Sequence, residues 1–257
     1  MLFRSSFGAA DIRLAHSYEK LGLLHEQNGD RSGAKAYLIN AHRILTRLQP
    51  ADGQAIFRSS RRLAHLCNQL GQTEEAIDFY EQAVAVAPQV PELPFSDLGA
   101  LLNNVALLCR KVGRAKTAEP YYLRALEIYE NQLGPEHPDV ASVLNNLGVF
   151  YTNEKRFTEA EQIHVRALAI REKAFAPNHP DIAQSKCNLA VVYHSRGEYD
   201  RASELYRASL QTWEDATAKP PEEYEVVAAN YADLLRSLGK ARQAQALESR
   251  ARKKRRG

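Results

Sequence analysis

Small side chains recur at one fixed interval along the whole chain. Glycine or alanine stands at six positions that are 42 residues apart, with no insertion or deletion between them. These positions are Gly22, Ala64, Ala106, Gly148, Ala190 and Ala232. Two further series keep the interval: Ala34, Ala76, Ala118, Ala160, Ala202 and Ala244, and Ala41, Ala83, Ala125, Ala167, Ser209 and Ala251. Such a period predicts an array of one repeated structural element, stacked so that neighbours bury a continuous core.

Within each repeat, the apolar positions predict two helices joined by a short turn. In the fourth repeat, apolar residues at i, i+3, i+4 and i+7 mark the first helix, and a second stripe follows. They are Leu144, Leu147, Gly148 and Tyr151, and then Ala160, His164 and Ala167. The turn carries a glycine in five repeats, at Gly29, Gly71, Gly113, Gly197 and Gly239, and Lys155 in the fourth. So short a connection requires the two helices to lie antiparallel.

Composition adds few constraints to this pattern. Of the 257 residues, 44% are hydrophobic and 25% are charged, and no stretch approaches the roughly 20 apolar residues of a membrane span. The apolar stretch at the N-terminus contains Arg4, unlike the core of a signal peptide. We therefore expect a cytoplasmic protein without a membrane partner. The cysteines Cys67, Cys109 and Cys187 form no CxxC pair, so neither a disulfide framework nor a zinc site is predicted.

The residues of each repeat resemble those of the tetratricopeptide repeat. The second repeat shows the pattern in full, with Leu63, Ala64, Gly71, Ala76, Tyr80, Ala83 and Pro88 at the family's offsets. The 42-residue length, the Leu-Asn-Asn at the start of the first helix and the connections at 134–141 and 176–183 are similar to the kinesin light chain type of this repeat. The resemblance covers residues 10–255 and no coiled coil, so it implies no motor-adaptor role.

This resemblance implies an all-α fold, a right-handed α-α superhelix of six helix-turn-helix repeats. We predict a single array at residues 10–249, a short N-terminal head at 1–9 and a basic C-terminal tail at 250–257. The segment 88–95 contains three prolines, which prevent a continuous helix there. Both a hinge and a stiff link fit this joint, and the constant repeat interval across it favours the stiff link.

In the repeats that this chain resembles, one side of each first helix lines the concave surface of the superhelix. A residue two positions before the packed small residue points about 160° away from it, onto that side. The phase places there Arg58, Arg61, Arg62, His65, Asn103, Asn104, Arg110, Lys111, Asn145, Asn146, Asn153, Asn188, His194 and Asn230. We predict that these residues bind an extended peptide or a helix of a partner protein, because amides pair with peptide backbones and guanidinium groups with carboxylates.

The charge pattern adds two hypotheses and leaves one alternative open. The arginines make the N-terminal half of the predicted groove basic, which favours a partner with an acidic segment. The alternative is a solvated helix face whose amides were kept when the repeat was duplicated. Six of the last eight residues are basic, and without them the formal net charge of +3 becomes negative. A second function, as a nucleic-acid- or ribosome-associated factor, would use this tail.

Several short motifs resemble catalytic signatures but lack their context. The His-Pro-Asp tripeptides at 137–139 and 179–181 match the J-domain motif, yet they recur at the same corner between repeats, where proline suits the first turn of a helix. His25 and Glu26 lack the second histidine of a zinc-protease motif. The sequence shows no acid/base pair or activated nucleophile at interpretable spacing. We therefore predict a non-catalytic scaffold or adaptor without a cofactor or metal.

Replacing Ala160 with leucine tests the packing role of the small residues. The larger side chain would overpack the seam between helices, so we expect the free energy of unfolding to fall by about 1–3 kcal/mol. Urea denaturation followed by circular dichroism measures this loss. An unchanged denaturation midpoint would contradict the packing role.

Overall fold

A computed structural model of the protein describes residues 2–48, 51–216 and 221–256. Within these ranges the chain forms twelve α-helices and one short 3-10 helix, Ala87–Gln89. The α-helices are α1 (Leu2–Gln27), α2 (Arg31–Leu45), α3 (Gly53–Gln69), α4 (Thr73–Val86), α5 (Phe95–Lys111), α6 (Ala115–Leu133), α7 (Pro138–Asn153), α8 (Phe157–Ala174), α9 (Pro180–Ser195), α10 (Tyr199–Ala216), α11 (Glu222–Ser237) and α12 (Ala241–Arg256). The predicted all-α fold class is confirmed.

The helices associate as helix-turn-helix pairs that stack on one another. The chain divides within α6 into an N-terminal half, Met1–Ala125, and a C-terminal half, Leu126–Gly257. In the N-terminal half α1 packs on α2 and α3 on α4, and α2 and α4 also pack on the first helix of the next pair. In the C-terminal half α7 pairs with α8, α9 with α10 and α11 with α12, with the same stacking. The described helices thus form the six predicted repeats.

The periodic small residues are buried at the contacts between helices. Ala64, Ala106 and Ala190 of the first series are fully buried, and so are all six alanines of the second series. A side chain at Gly148 would place its Cβ 2.5 Å from Cε1 of His164 on the paired helix, so only glycine fits against this ring. The predicted role of the small positions in packing is confirmed, and it accounts for the small residues recurring at one constant interval.

His164 occupies the core position that a tyrosine holds in the neighbouring repeats. The equivalent residues are Tyr122 and Tyr206, and an alanine stands sixteen residues before each of them, where Gly148 stands before His164. The imidazole is only 1% exposed, and burial lowers its pKa to about 4, so the ring is neutral in the folded protein at pH 7. The prediction that His164 is a core residue is confirmed.

The turns within the repeats depend on a left-handed residue. Each of the five predicted turn glycines has a positive φ, for example 75° at Gly71 and 80° at Gly197. In the fourth repeat Lys155 adopts this conformation with a φ of 59°. A side chain makes the left-handed region unfavourable, and glycine is free of this cost. The turn position predicted from the sequence is therefore confirmed in all six repeats.

The two His-Pro-Asp tripeptides form helix N-termini. His137 precedes α7 and His179 precedes α9, and in each case Nδ1 of the histidine accepts a hydrogen bond of 3.2 Å from the backbone N–H two residues later. The proline that follows is the first residue of the helix, where its missing N–H costs nothing. The interpretation of both tripeptides as corners of the scaffold is confirmed.

The ends of the array and the proline-rich joint differ in their local structure. Helix α1 begins at Leu2, so residues 2–9, predicted as a head, continue the first helix. Helix α12 runs to Arg256 and includes most of the predicted basic tail. Between α4 and α5, the 3-10 helix is followed by a non-helical stretch at 90–94, as the prolines require.

Replacing Lys155 with glycine should stabilise the protein. Glycine relieves the left-handed strain but gains freedom in the unfolded chain, so we expect a net gain of up to about 1 kcal/mol. Urea denaturation measures the change. The matched control is Glu154→Gly: Glu154 has a φ of −78°, so glycine brings no relief and should destabilise the protein. A loss of stability in Lys155→Gly as large as in the control would contradict the argument.

The free energy of unfolding should fall as the pH is lowered from about 6.5 to about 4. In this window the unfolded chain binds a proton at His164 that the folded protein excludes, at a cost on the order of 3 kcal/mol. Burial also lowers the pKa of His42, which adds to the loss. The variant Gly148→Ala/His164→Tyr copies the Ala106–Tyr122 pair and should show a shallower decline in urea titrations.

The control for this pH experiment is His65→Gln, because His65 is exposed. Its pH dependence should match that of the wild type. If Gly148→Ala/His164→Tyr loses stability with acid as steeply as the wild type, the burial of a neutral His164 is not the cause.

Candidate functional site

A cavity of about 700 Å³ lies among the first three repeats, in the N-terminal half. Its polar side chains come from α1, α3 and α5, which are the first helices of these repeats. Five of the predicted groove residues line it: Arg58, Arg61, Arg62, His65 and Asn104. Leu38, Tyr80 and Leu101, each less than 5% exposed, form its buried apolar part. These five residues, which the repeat phase assigned to one face, therefore lie together around one cavity in the N-terminal half.

Helix α3 presents its polar residues to the cavity as one stripe. Arg58, Arg61, Arg62 and His65 stand at i, i+3, i+4 and i+7, so they share a face of the helix. The helix is held at its start by Asp52, whose carboxylate accepts a hydrogen bond of 3.0 Å from the backbone N–H at position 55. This cap satisfies an end group of the helix and fixes where the stripe begins.

Two of the arginines in the cavity are paired with carboxylates from adjacent repeats. Nη1 of Arg61 lies 3.0 Å from Oδ2 of Asp97 on α5, and Nη2 of Arg62 lies 2.6 Å from Oε2 of Glu26 on α1. All four side chains are between 29% and 46% exposed, so each pair contributes about 1 kcal/mol or less. Their main effect is to orient the guanidinium groups and to reduce the net charge of the cavity.

The predicted basic character of this surface is wrong for the cavity as a whole. Three arginines line it, but so do three carboxylates, Glu19, Glu26 and Asp97. Glu26 and Asp97 occupy other phases of the repeat than the arginines, and the assignment by phase therefore missed them; Glu19 shares the phase of Arg61 but lies in the first repeat, which the assignment did not include. Stacking brings the different phases of neighbouring first helices together, and the lining is balanced in formal charge.

Two charged groups of the cavity keep free hydrogen-bonding capacity. Within the described residues, Arg58 and Glu19 form neither an ion pair nor a hydrogen bond through their side chains. His65 is also exposed, and its Nε2 lies 2.9 Å from Nε2 of Gln69. The cavity thus offers an unpaired cation and an unpaired anion above an apolar base.

The asparagines of the C-terminal half connect repeats to one another. The Asn188 side-chain amide donates to Oδ1 of Asn145 at 2.5 Å, and Oδ1 of Asn188 accepts from Gln184 at 3.0 Å. Burial raises the pKa of the Cys187 thiol to about 12, and a hydrogen bond with the Asn230 side chain opposes that rise. Both contacts join positions 43 residues apart. The repeated amide therefore has a structural use that the sequence did not reveal.

The other predicted residues are not gathered at one site by the described structure. On α5, Asn103 and Arg110 are half-buried and Lys111 is exposed, and none of them lines the cavity. Asn146 is half-buried and Asn153 is exposed. For His194, burial lowers the pKa, and the ring meets Tyr199 and Tyr206 edge-on. Their role in binding remains a prediction.

Part of the basic tail is bound to the body of the protein. Glu214 accepts from Arg250 at 2.6 Å and from Lys254 at 2.9 Å, and it also accepts from Tyr224 at 2.6 Å. The Glu214 side chain is only 13% exposed. Two cations of the tail therefore hold α12 in place, and the nucleic-acid hypothesis would have to rest on the others.

Two of the acidic residues that the sequence interpretation missed, Glu26 and Asp97, could have been found from the sequence. The pairs Glu26–Arg62 and Arg61–Asp97 are each 36 residues apart, and so are Glu130–Arg166 and Glu214–Arg250. Opposite charges at this separation mark contacts between adjacent repeats. A search for charge pairs at i and i+36 would have predicted the pairing of Glu26 with Arg62 and of Asp97 with Arg61, but not Glu19.

Paired helices in six similar repeats, with small residues at the contacts, define an α-helical repeat protein. The family model of the tetratricopeptide repeat matches residues 4–89, 97–151 and 139–215. The chain therefore belongs to the tetratricopeptide repeat family. This repeat forms scaffolds that are generally non-catalytic and typically mediate binding between proteins or to peptides.

Solved structures of similar proteins include kinesin light chain-like members of the family. BtubC (BKLC) from P. vanneervenii is 26% identical with a TM-score of 0.64, over 85% of this chain and 94% of that protein. A putative kinesin light chain from Podosopora anserina with nearly identical TPR-like repeats is 24% identical with a TM-score of 0.64, over 79% and 95%. YrrB, described as a TPR protein with an unusual peptide-binding site, is 19% identical with a TM-score of 0.54, over 77% and 86%. A comparison with curated proteins found no match.

Two further findings concern membranes and metals. Across the described ranges, no helix combines the length and the apolar character needed to cross a membrane. In the same ranges, no three His, Cys, Asp or Glu side chains are grouped so that they could hold a metal ion.

Proposed function

We propose that this protein is a non-catalytic scaffold that binds a peptide segment of a partner protein in the cavity of its N-terminal half. The observation that carries the proposal is the cavity itself, in which three successive first helices place charged side chains around an apolar base. Its volume of about 700 Å³ lies in the range of ligand sites, and such sites combine an apolar lining with a few polar groups that fix orientation.

The unpaired groups specify the chemistry of the peptide. Arg58 is an exposed guanidinium without a carboxylate among the described residues, and it suits an acidic side chain or a carboxyl terminus. Glu19 suits a lysine or an arginine in the same way. An acidic group of the peptide can pair with Arg61 or Arg62 only by competing with Asp97 or Glu26. A peptide of mixed charge with an apolar residue for Leu38 and Leu101 therefore fits better than a uniformly acidic one.

The inter-repeat bonds of the asparagines support placing the site in the N-terminal half. A peptide that paired with Asn188 would have to break its bond to Asn145. Asn104 forms no such bond with any residue that the structure describes, and it is exposed at the cavity. YrrB, with its peptide-binding site, has the same fold and agrees with peptide recognition as the general function of this one.

Peptides selected from a random phage-displayed library on the wild-type protein test the proposal. Fluorescence anisotropy then compares their affinity for wild type, Arg58→Glu and Glu19→Lys, and we expect a loss of about tenfold or more in each variant. Replacing the acidic residue of the peptide with alanine should cost little more in Arg58→Glu, because the two changes remove the same contact.

The matched control is Arg43→Glu, a charge reversal at an exposed arginine of α2 that does not line the cavity. This variant should bind the selected peptides as the wild type does. Equal affinity for wild type and Arg58→Glu, or the same loss in Arg43→Glu, would overturn the assignment of the cavity as the peptide site.

A further inference from the structure

The outer face of α1 exposes three large apolar side chains. Leu14 is 46% exposed, Leu21 40% and Leu24 53%. Their spacing of seven and three residues places them on one side of the helix. Among the described residues, the other exposed large hydrophobic side chains stand singly, on four different helices. We call these three leucines the α1 stripe; none of them lines the cavity.

The same positions are apolar in every other repeat, and there they are covered. The equivalents of Leu14 are Ile56, Leu98, Val140, Ile182 and Tyr224; those of Leu21 are Leu63, Val105, Leu147, Leu189 and Tyr231; those of Leu24 are Leu66, Leu108, Phe150, Val192 and Leu234. All are buried except Leu98, which is half-buried. The α1 stripe is therefore not a random set of surface leucines, and its exposure is particular to the first repeat.

The cover in the other repeats is the second helix of the repeat before. In the second repeat, Leu38 of α2 lies in one buried cluster with Leu63 and Leu66, and Leu45 lies in another with Ile56. In the sixth, Leu210 and Trp213 of α10 share a cluster with the equivalent residues of α11. The α1 stripe is thus one half of an interface that the chain forms repeatedly, with the other half missing.

The opposite end of the array is closed by polar residues. The residue of α12 equivalent to Leu210 is Arg252, and the residue equivalent to the buried Ser203 is Gln245; both are exposed. Terminal repeats of soluble arrays need such a polar outer face. The C-terminal end therefore has the features of a cap and the N-terminal end does not.

The charges beside the α1 stripe are mainly basic. Arg13 and Lys20 are exposed there, against a single exposed acid, Asp11. Lys20 has no ion-pair partner among the described residues, whereas its equivalent in the second repeat, Arg62, is paired with Glu26. A second copy of the chain would bring to this face either the same stripe, again with the exposed Arg13 and Lys20 beside it, or the basic α12. The complementary partner is acidic.

We infer that the α1 stripe binds an acidic amphipathic helix of another protein, in the position that the second helix of a preceding repeat would take. The apolar face of this helix covers Leu14, Leu21 and Leu24, and its acidic residues face Lys20. This interface is separate from the cavity and does not rest on the proposed peptide function.

The chain itself supplies a probe for this interaction. Helix α4 is acidic, with Glu74, Glu75, Asp78 and Glu81, and it packs on α5, which carries Leu98, Val105 and Leu108 at the stripe positions. A fluorescein-labelled peptide of residues 72–87 should bind the full-length protein saturably in anisotropy titrations. The variant Leu21→Glu/Leu24→Glu should weaken binding at least about tenfold, and Lys20→Glu several-fold.

The matched control is Leu123→Glu, because Leu123 is also 46% exposed but lies on α6. This control and Arg58→Glu should bind the probe as the wild type does, which separates this test from that of the cavity. Circular dichroism checks that each variant is folded; Lys20 is exposed, so its variant gives a second test that does not change the leucines.

Two results would overturn the inference. The first is no binding of the probe to wild type at up to about 1 mM, or equal binding to wild type, Leu21→Glu/Leu24→Glu and Lys20→Glu. The second is a dimer in sedimentation equilibrium that Leu21→Glu/Leu24→Glu converts to monomer, because this face would then belong to a second copy of the chain.

Discussion

Close contact between helices at small residues is the constraint on which the rest of this protein depends. Fully buried alanines recur at the same positions of successive repeats, and at Gly148 even a Cβ would collide with His164. This packing sets the phase of every helix, because only one side of each can approach its neighbour. Once that side is fixed, the directions in which the polar stripe of α3 and the apolar stripe of α1 face are fixed as well.

Contacts between adjacent repeats give the array its specificity. They are made by ion pairs such as Arg61–Asp97, by the amide bond from Asn188 to Asn145, and by Glu214, which holds α12. Most of these groups are partly exposed, so their effect on stability is small compared with that of the apolar core. Their effect on function is larger, because they use up polar groups that would otherwise be available to a ligand.

The two surfaces that we propose bind partners are those where side chains lack a partner within the protein. Among the described residues, Arg58 and Glu19 of the cavity have no ion-pair partner beside Leu38 and Leu101, and three leucines of α1 lack the helix that covers their equivalents elsewhere. Both surfaces follow from the same repeat: one lies on the side that we propose binds a peptide, and the other on the side that stacks on the neighbouring repeat. If both proposals hold, one repeat fold presents two different surfaces, each to its own kind of partner.

The sequence by itself determined the repeat, the two helices in each repeat, the turn positions including Lys155, and the identity of the core residues, His164 among them. These features are periodic and local, so spacing and residue type are enough to predict them. Only the tertiary structure showed that Glu26 and Asp97 neutralise two arginines, that Asn188 is bonded to Asn145, and that the leucines of α1 are uncovered. Each of these depends on which phases of adjacent repeats meet, or on the absence of a neighbour, and stacking geometry decides both.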